Sequence, residues 1–160
     1  KAQTDPLTKI CNFQATFDAI SEKLTDTDDN YAFCFVDLDN FKQINDTMGH
    51  PAGDEVLRQV AHVLKDVAGP ENLAGRVGGD EFVVIMVEMT SDLDYTIREK
   101  VDAINQTLAQ QDDGLPKVSL SVGVAFSDRP DPTGTIFQDA DQALYHQKNH
   151  GKAGCSFYQK

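Results

Sequence analysis

The stretch Arg76-Val77-Gly78-Gly79-Asp80-Glu81, running into Phe82-Val83-Val84-Ile85-Met86-Val87, constrains this chain more than any other. Its apolar half is β-branched and aromatic, as a buried strand requires. The glycine pair supplies the backbone freedom of a tight turn and lets a ligand approach the main chain closely. Asp80 and Glu81 are thereby placed at a rigid hairpin tip. A second apolar stretch, Tyr31-Ala32-Phe33-Cys34-Phe35-Val36, ends abruptly in Asp37-Leu38-Asp39. Two strands that each finish on carboxylates predict one shared acidic site at the edge of a sheet. Carboxylates about 4 Å apart repel by roughly 4 kcal/mol at an effective dielectric of about 20. Such a cluster persists when protons or divalent cations neutralise it. Oxygen-only ligands favour Mg²⁺ or Mn²⁺, and metals at two acidic strand ends suit in-line attack at phosphorus.

The rest of the chain divides by periodicity. Phe13, Phe17, Ile20 and Leu24 predict a first amphipathic helix, and the acidic run 26–30 a solvated turn. After the strand at 31–36 come a short helix over about 40–47 and a longer one over about 52–67. The buried stripe of the longer helix is Val56, Leu57, Val60, Val63, Leu64 and Val67. Residues 69–72 read as a loop before the hairpin. Leu93, Ile97, Val101, Ile104 and Leu108 mark another helix. Val118, Leu120, Val122, Val124 and Phe126 alternate with Ser119, Ser121, Gly123 and Ala125, a strand with one bulky and one small face. A helix over 136–149 and a strand near 155–158 complete the chain. The expected class is α/β, an α+β sandwich around a mixed, mainly antiparallel five-stranded sheet flanked by helices.

With 160 residues and 40% hydrophobic content, one domain over 1–160 with a full core is expected. The start at Lys1 rather than Met reads as a domain excised from a longer multidomain protein. No run of about 18 apolar residues predicts a transmembrane helix, and no signal peptide is evident. Cys11, Cys34 and Cys155 are an odd number, which argues against a disulfide framework and suits a reducing cytoplasm. The net charge of −12 disfavours nucleic acid and anionic membranes as partners. It also repels a nucleoside triphosphate, whose binding would need metal ions and a few placed cations.

Five blocks, in order, resemble the GGDEF family, the bacterial diguanylate cyclases. They are Asp5-Pro6-Leu7-Thr8; the run from Asp37 through Asn40-Phe41-Lys42-Gln43-Ile44-Asn45 to Asp46, continued by Gly49-His50-Pro51-Ala52-Gly53-Asp54; the signature Gly78-Gly79-Asp80-Glu81-Phe82; Ser119-Leu120-Ser121-Val122-Gly123; and Ala140-Asp141-Gln142-Ala143-Leu144-Tyr145. The resemblance implies a palm-like nucleotide cyclase fold. It also implies condensation of two GTP molecules to cyclic di-GMP and pyrophosphate, between two facing copies of the domain. An upstream sensory or dimerisation domain would bring the copies together. By the same resemblance Asp37, the carbonyl of Leu38 and Asp80 hold Mg²⁺ or Mn²⁺, and Asp80 or Glu81 accepts the proton of the attacking hydroxyl. Lys42 stabilises charge on the phosphates, with Lys148 and Lys152 as further phosphate cations beside Gly78 and Gly79. Asn45 and Asp54 read guanine, with His50 beside the base. A carboxylate accepts from the guanine N1 and N2 donors that adenine lacks.

The chain departs from the family pattern at Lys9, Phe13, Asn40, Lys152 and Ala153. Lys152 keeps a charge but not the bidentate fork of an arginine. None of these removes an implied metal ligand. The Arg-x-x-Asp product-inhibition motif is replaced by Gly69-Pro70-Glu71-Asn72, so feedback through that site is not expected. Alternatively, the domain binds GTP without catalysis and regulates an attached domain such as a cyclic di-GMP phosphodiesterase.

Overall fold

The computed structural model describes residues 3–25, 30–87, 92–112 and 114–158, without the side chains of 23–25. The acidic turn expected at 26–30 lies outside these residues except for Asn30, as does the side chain of Leu24. The elements are α1 (Phe13–Thr25), β1 (Ala32–Leu38), α2 (Phe41–Met48), α3 (His50–Ala68), β2 (Leu73–Gly78), β3 (Glu81–Met86), α4 (Leu93–Gln110), β4 (Leu120–Phe126), α5 (Ile136–Lys148) and β5 (Gly154–Phe157). The strands form one sheet in the order β2-β3-β1-β4-β5. Only the β4–β5 pair is parallel, so the sheet is mixed and mainly antiparallel.

Strand alternation divides the core between two faces. Ala32, Cys34, Val36 and Leu38 of β1 pack with Phe82, Val84 and Met86 of β3 beneath α2, α3 and α4. Phe33 and Phe35 pack with Val83, Ile85 and Ala125 against Ile136, Ala140 and Leu144 of α5. The cysteines are free, and burial together with the neighbouring Cys155 pushes the Cys34 thiol up to about 12. Among the described residues no helix is long and apolar enough to cross a membrane.

Helix α5 starts on a capping box in which Thr135 accepts from the Gln138 backbone and Gln138 answers to the Thr135 backbone. It then lies directly on the backbone of β4. A methyl group at Gly123 would collide with the Ala140 carbonyl oxygen and the Leu144 nitrogen, backbone atoms that cannot swing away. The small face expected for this strand is the seat of the helix. Gly123→Ala is therefore expected to overpack the layer and cost about 1–3 kcal/mol. The melting temperature should drop by roughly 2–12 °C in a domain of this size.

Helix α1 departs from its expected orientation. Phe13 and Phe17 stand 53% and 54% exposed, with ring centroids 5.9 Å apart. The buried contact is made by Thr16, 0% exposed, whose hydroxyl donates to the Asn12 carbonyl. Gly75 of β2 leaves just enough room for it, since a Cβ there would strike Thr16 Oγ1. A small polar side chain facing a glycine lets the helix approach β2 more closely than a phenylalanine could, and the aromatic stripe turns outward.

Candidate active site

β1 and β3 run antiparallel with Asp37 opposite Glu81, and the Leu38 N–H donates to the Asp80 carbonyl at 3.3 Å. Asp37 and Glu81 occupy the alternate positions that also hold Phe35 and Val83, so both lie on the α5 face. The last helical residue of α5, Lys148, places its Nζ 2.9 Å from Asp37 Oδ2. The other oxygen, Asp37 Oδ1, is buried with no hydrogen-bond partner among the described residues. Burial and the charge of Asp37 push the Asp80 carboxyl above its ordinary range. Burial, then Asp37, Asp80 and Asp141, push Glu81 up as well. Lys148 opposes both shifts. The two strand ends therefore converge on one site.

Among the described residues no three His, Cys, Asp or Glu side chains are arranged to enclose a metal. A magnesium ion does not need such a cage. It takes one or two carboxylates and completes its octahedron with waters and substrate phosphates. Asp37 with its free buried oxygen and the adjoining Asp80 offer that donor set, with the Leu38 carbonyl between them in the chain. The residues fit the ion.

The hairpin tip is braced from beneath. Arg76 Nε and Nη2 donate to the Gly79 carbonyl at 3.1 and 2.9 Å. Arg76 Nη1 reaches the Asp5 carboxylate oxygens at 3.3 and 3.2 Å. Asp5 also accepts from the Thr8 backbone and hydroxyl at 2.9 and 2.8 Å. Burial alone would raise the Asp5 carboxyl, but these bonds hold it below its usual range. The glycines accept the required backbone, with φ of 156° at Gly78 and 47° at Gly79. Sequence reasoning gave Asp5 and Arg76 no role. The Asp-x-x-Thr spacing is a local signal for an Asx-type turn, but its link to Arg76 spans 71 residues.

Asp39 was also missed. It is 3% exposed and accepts from Ser119 Oγ at 2.7 Å, Ser121 Oγ at 2.6 Å and the Ala153 backbone at 3.1 Å. It ties the end of β1 to β4 and to the turn after α5, where Lys152 and Ala153 have φ of 56° and 40°.

The remaining expected residues divide. Asn45 and Asp54 are half-buried, and a Cβ at Gly53 would strike Asn45 Oδ1, so α2 and α3 meet closely beside Asp54. His50 is exposed at the start of α3. Lys42 is not brought to the carboxylates: its side chain is 89% exposed and pairs with Asp46 at 3.0 Å, one turn along the same helix. Lys152 is exposed and donates to Asn40 Oδ1 at 3.0 Å. Of the implied phosphate cations, Lys148 is the one in contact with the acidic cluster.

Residues 2–154 match the family model for the diguanylate cyclase GGDEF domain. The chain belongs to the GGDEF family. It is 33% identical over 158 residues to the probable diguanylate cyclase DgcT of Escherichia coli, covering 94% of this chain and 34% of that protein. It is also 32% identical to the cyclic di-GMP phosphodiesterase PdeB of Shewanella oneidensis, again over 94% of this chain but 18% of the relative. The chain thus spans about a third or less of these two relatives. Among solved structures, the GGDEF domain of DgcB from Caulobacter crescentus, in complex with c-di-GMP, superposes with a TM-score of 0.85. That match has 26% identity and covers 100% of this chain and 98% of the other.

In this GGDEF domain the segment 69–72 carries out structural work. Asn72 Nδ2 donates to the Ala68 carbonyl at 2.8 Å and its Oδ1 accepts from the Val87 N–H at 2.9 Å, tying the end of α3 to the end of β3. The same segment lines an open, largely apolar cleft of about 580 Å³, with Lys9 and Lys65 among the other lining residues.

Proposed function

We propose that this domain is a diguanylate cyclase, joining two GTP molecules into cyclic di-GMP with release of pyrophosphate. One GTP is held by each of two facing copies. The observation that carries this reading is the buried, unpartnered Asp37 Oδ1 beside the Asp80 carboxyl. A chain does not bury a bare carboxylate oxygen against a second carboxyl without cost, and a divalent cation removes that cost. Magnesium or manganese bound by Asp37, Asp80 and the Leu38 carbonyl would neutralise triphosphate charge and make the α-phosphorus a better electrophile.

The protein's own groups do the rest. Lys148 supplies a point cation for phosphate oxygens. The Gly78-Gly79 turn has no side chains to keep phosphates from its backbone. Asp54 accepts from guanine N1 and N2 and Asn45 pairs with the remaining edge, which selects GTP over ATP. His50, exposed at the start of α3, would lie beside the base. Glu81, not among the groups assigned to the metal, receives the proton of the 3′-hydroxyl, and its raised carboxyl pKa makes it a stronger base. Lys42 is free to turn from Asp46 to the triphosphate, because an exposed i,i+4 pair is worth only a few tenths of a kcal/mol. Attack by each hydroxyl on the opposite α-phosphorus, with pyrophosphate leaving, closes the ring. An upstream sensory or dimerising segment would set the encounter, and the reaction belongs in the cytoplasm, where GTP is made.

A second reading has its own support. PdeB, named a phosphodiesterase, contains a region similar to 94% of this chain, and here Lys42 and Lys152 are engaged with Asp46 and Asn40. A non-catalytic GTP-binding module would serve such an attached enzyme. A forcibly dimerised form incubated with GTP and Mg²⁺ separates the readings. Cyclic di-GMP is expected; metal-dependent GTP binding without product would favour the regulatory module. Absence of metal-dependent nucleotide binding would remove both.

A further inference from the structure

The Asp37–Lys148 pair sits where cation and nucleotide must both arrive. Its side chains are 17% and 29% exposed, so water screens it poorly. One oxygen of Asp37 faces the ammonium at 2.9 Å while the other is buried and bare. An ammonium and a divalent cation cannot share the same carboxylate edge without strong mutual repulsion. A triphosphate, by contrast, attracts both. We propose that Lys148 is an internal counter-ion that keeps divalent cations out of the acidic site until a nucleoside triphosphate draws the ammonium from Asp37 onto its phosphates. The inference rests on the metal-site reading above.

The consequence is a coupling between two ligands. Without nucleotide, a cation must displace an ammonium held by a partly buried carboxylate. With nucleotide, the same ammonium has a better partner, and both oxygens of Asp37 are open. Cation and triphosphate therefore raise each other's affinity by the same factor, as linkage requires. Such a device spares the cluster the repulsion of Asp37, Asp80 and Glu81 when no substrate is present. It also keeps a magnesium ion from settling in a form that repels nothing and activates nothing. Lys152, by comparison, is exposed and bonded to Asn40 Oδ1 rather than to Asp37. It carries equal charge without the contact.

Manganese binding followed by electron paramagnetic resonance tests this, with and without a non-hydrolysable GTP analogue, on the wild type, Lys148→Met and Lys152→Met. Lys148→Met is expected to bind Mn²⁺ alone about 10-fold more tightly than wild type, and the enhancement given by nucleotide should shrink by a similar factor. Lys152→Met should leave binding of Mn²⁺ alone within about 2-fold, showing that contact rather than net charge is responsible. Should Lys148→Met fail to fold, Lys148→Gln removes the charge and retains a hydrogen-bond donor for Asp37. If wild type takes up Mn²⁺ only with nucleotide but the Lys148 variants bind it alone no better, the counter-ion role is overturned. Equal gains in Lys148→Met and Lys152→Met would overturn it too. No uptake by wild type even with nucleotide would overturn the metal-site reading, and this inference with it.

Discussion

Asp80→Asn is expected to lose cyclic di-GMP formation by roughly 10³-fold, the upper range for removing one electrostatic stabiliser of a transition state, while making the metal-free domain more stable at pH 7. The stability half follows from the direction of the Asp80 shift, upward from 3.8. The folded domain holds the Asp80 proton more tightly than the unfolded chain does. Protonation therefore favours folding, and that contribution is complete below pH 3.8, the unfolded value, and lost as pH rises through the raised folded value. Above the raised folded value the wild type carries the penalty of an ionised carboxylate beside Asp37. An isosteric amide removes it. Melting curves should show the variant above wild type at pH 7, with the two converging below pH 3.8. Added Mg²⁺ with a GTP analogue should raise the wild-type melting temperature and leave the variant nearly unmoved. A variant both inactive and less stable at pH 7 would mean that Asp80 is there for packing.

The largest loss of stability is expected far from this site, at Arg129. Its Nε donates to Asp139 Oδ2 at 2.6 Å, with side chains 9% and 1% exposed. Further bonds run to the Phe126 carbonyl at 3.0 Å and the Gly134 carbonyl at 3.1 Å. Asp139 also accepts from the Thr133 hydroxyl at 2.8 Å. Burial would raise its carboxyl, but the bonds from Arg129 and Thr133 win and hold it below the usual range. Arg129→Ala leaves that charge buried without its partner, which costs about 3–5 kcal/mol. In a chain of 160 residues the melting temperature should fall by roughly 6–20 °C. The sign for acid is opposite to that of Asp80. Stability from a depressed carboxyl is present above pH 3.8 and lost as pH falls through the folded value, so acid should erode the wild type's advantage over the variant. A drop of less than about 1 kcal/mol would show that the pair is solvated in practice.

The sheet was legible because it needs only local pattern. The run at 82–87 and the stretch at 31–36 are short, bounded by turn signals and rich in β-branched and aromatic residues, which reads as buried strands, and the carboxylates beside them meet in register. The five strands, their flanking helices and the pairing of Asp37 with the hairpin tip all emerge from that. Phe13 and Phe17 show where pattern stops. Periodicity finds the apolar face of a helix, but Gly75, in another element, decides which face can dock. Lys42 stands apart from the carboxylates for a related reason. Its sequence block implies a phosphate contact, but nothing local decides between that and Asp46 one turn away. Asp39 binds serines 80 and 82 residues away and Arg76 reaches Asp5 across 71, and no short-range signal carries such links. Lys148 was visible as a cation, but its contact with Asp37 depends on how α5 lies across the sheet.

The missing side chain at Gly123 has a mechanical consequence. With helix meeting strand main chain to main chain at Gly123, no side-chain rotamer change at that point can widen the gap between layers. The ammonium at the end of α5 and the carboxylate at the end of β1 therefore belong to one stiff unit of three elements. Fraying of α1 or α4 at the periphery would leave their spacing intact, and the amides of β1, β4 and α5 should be the last in the chain to exchange with deuterium.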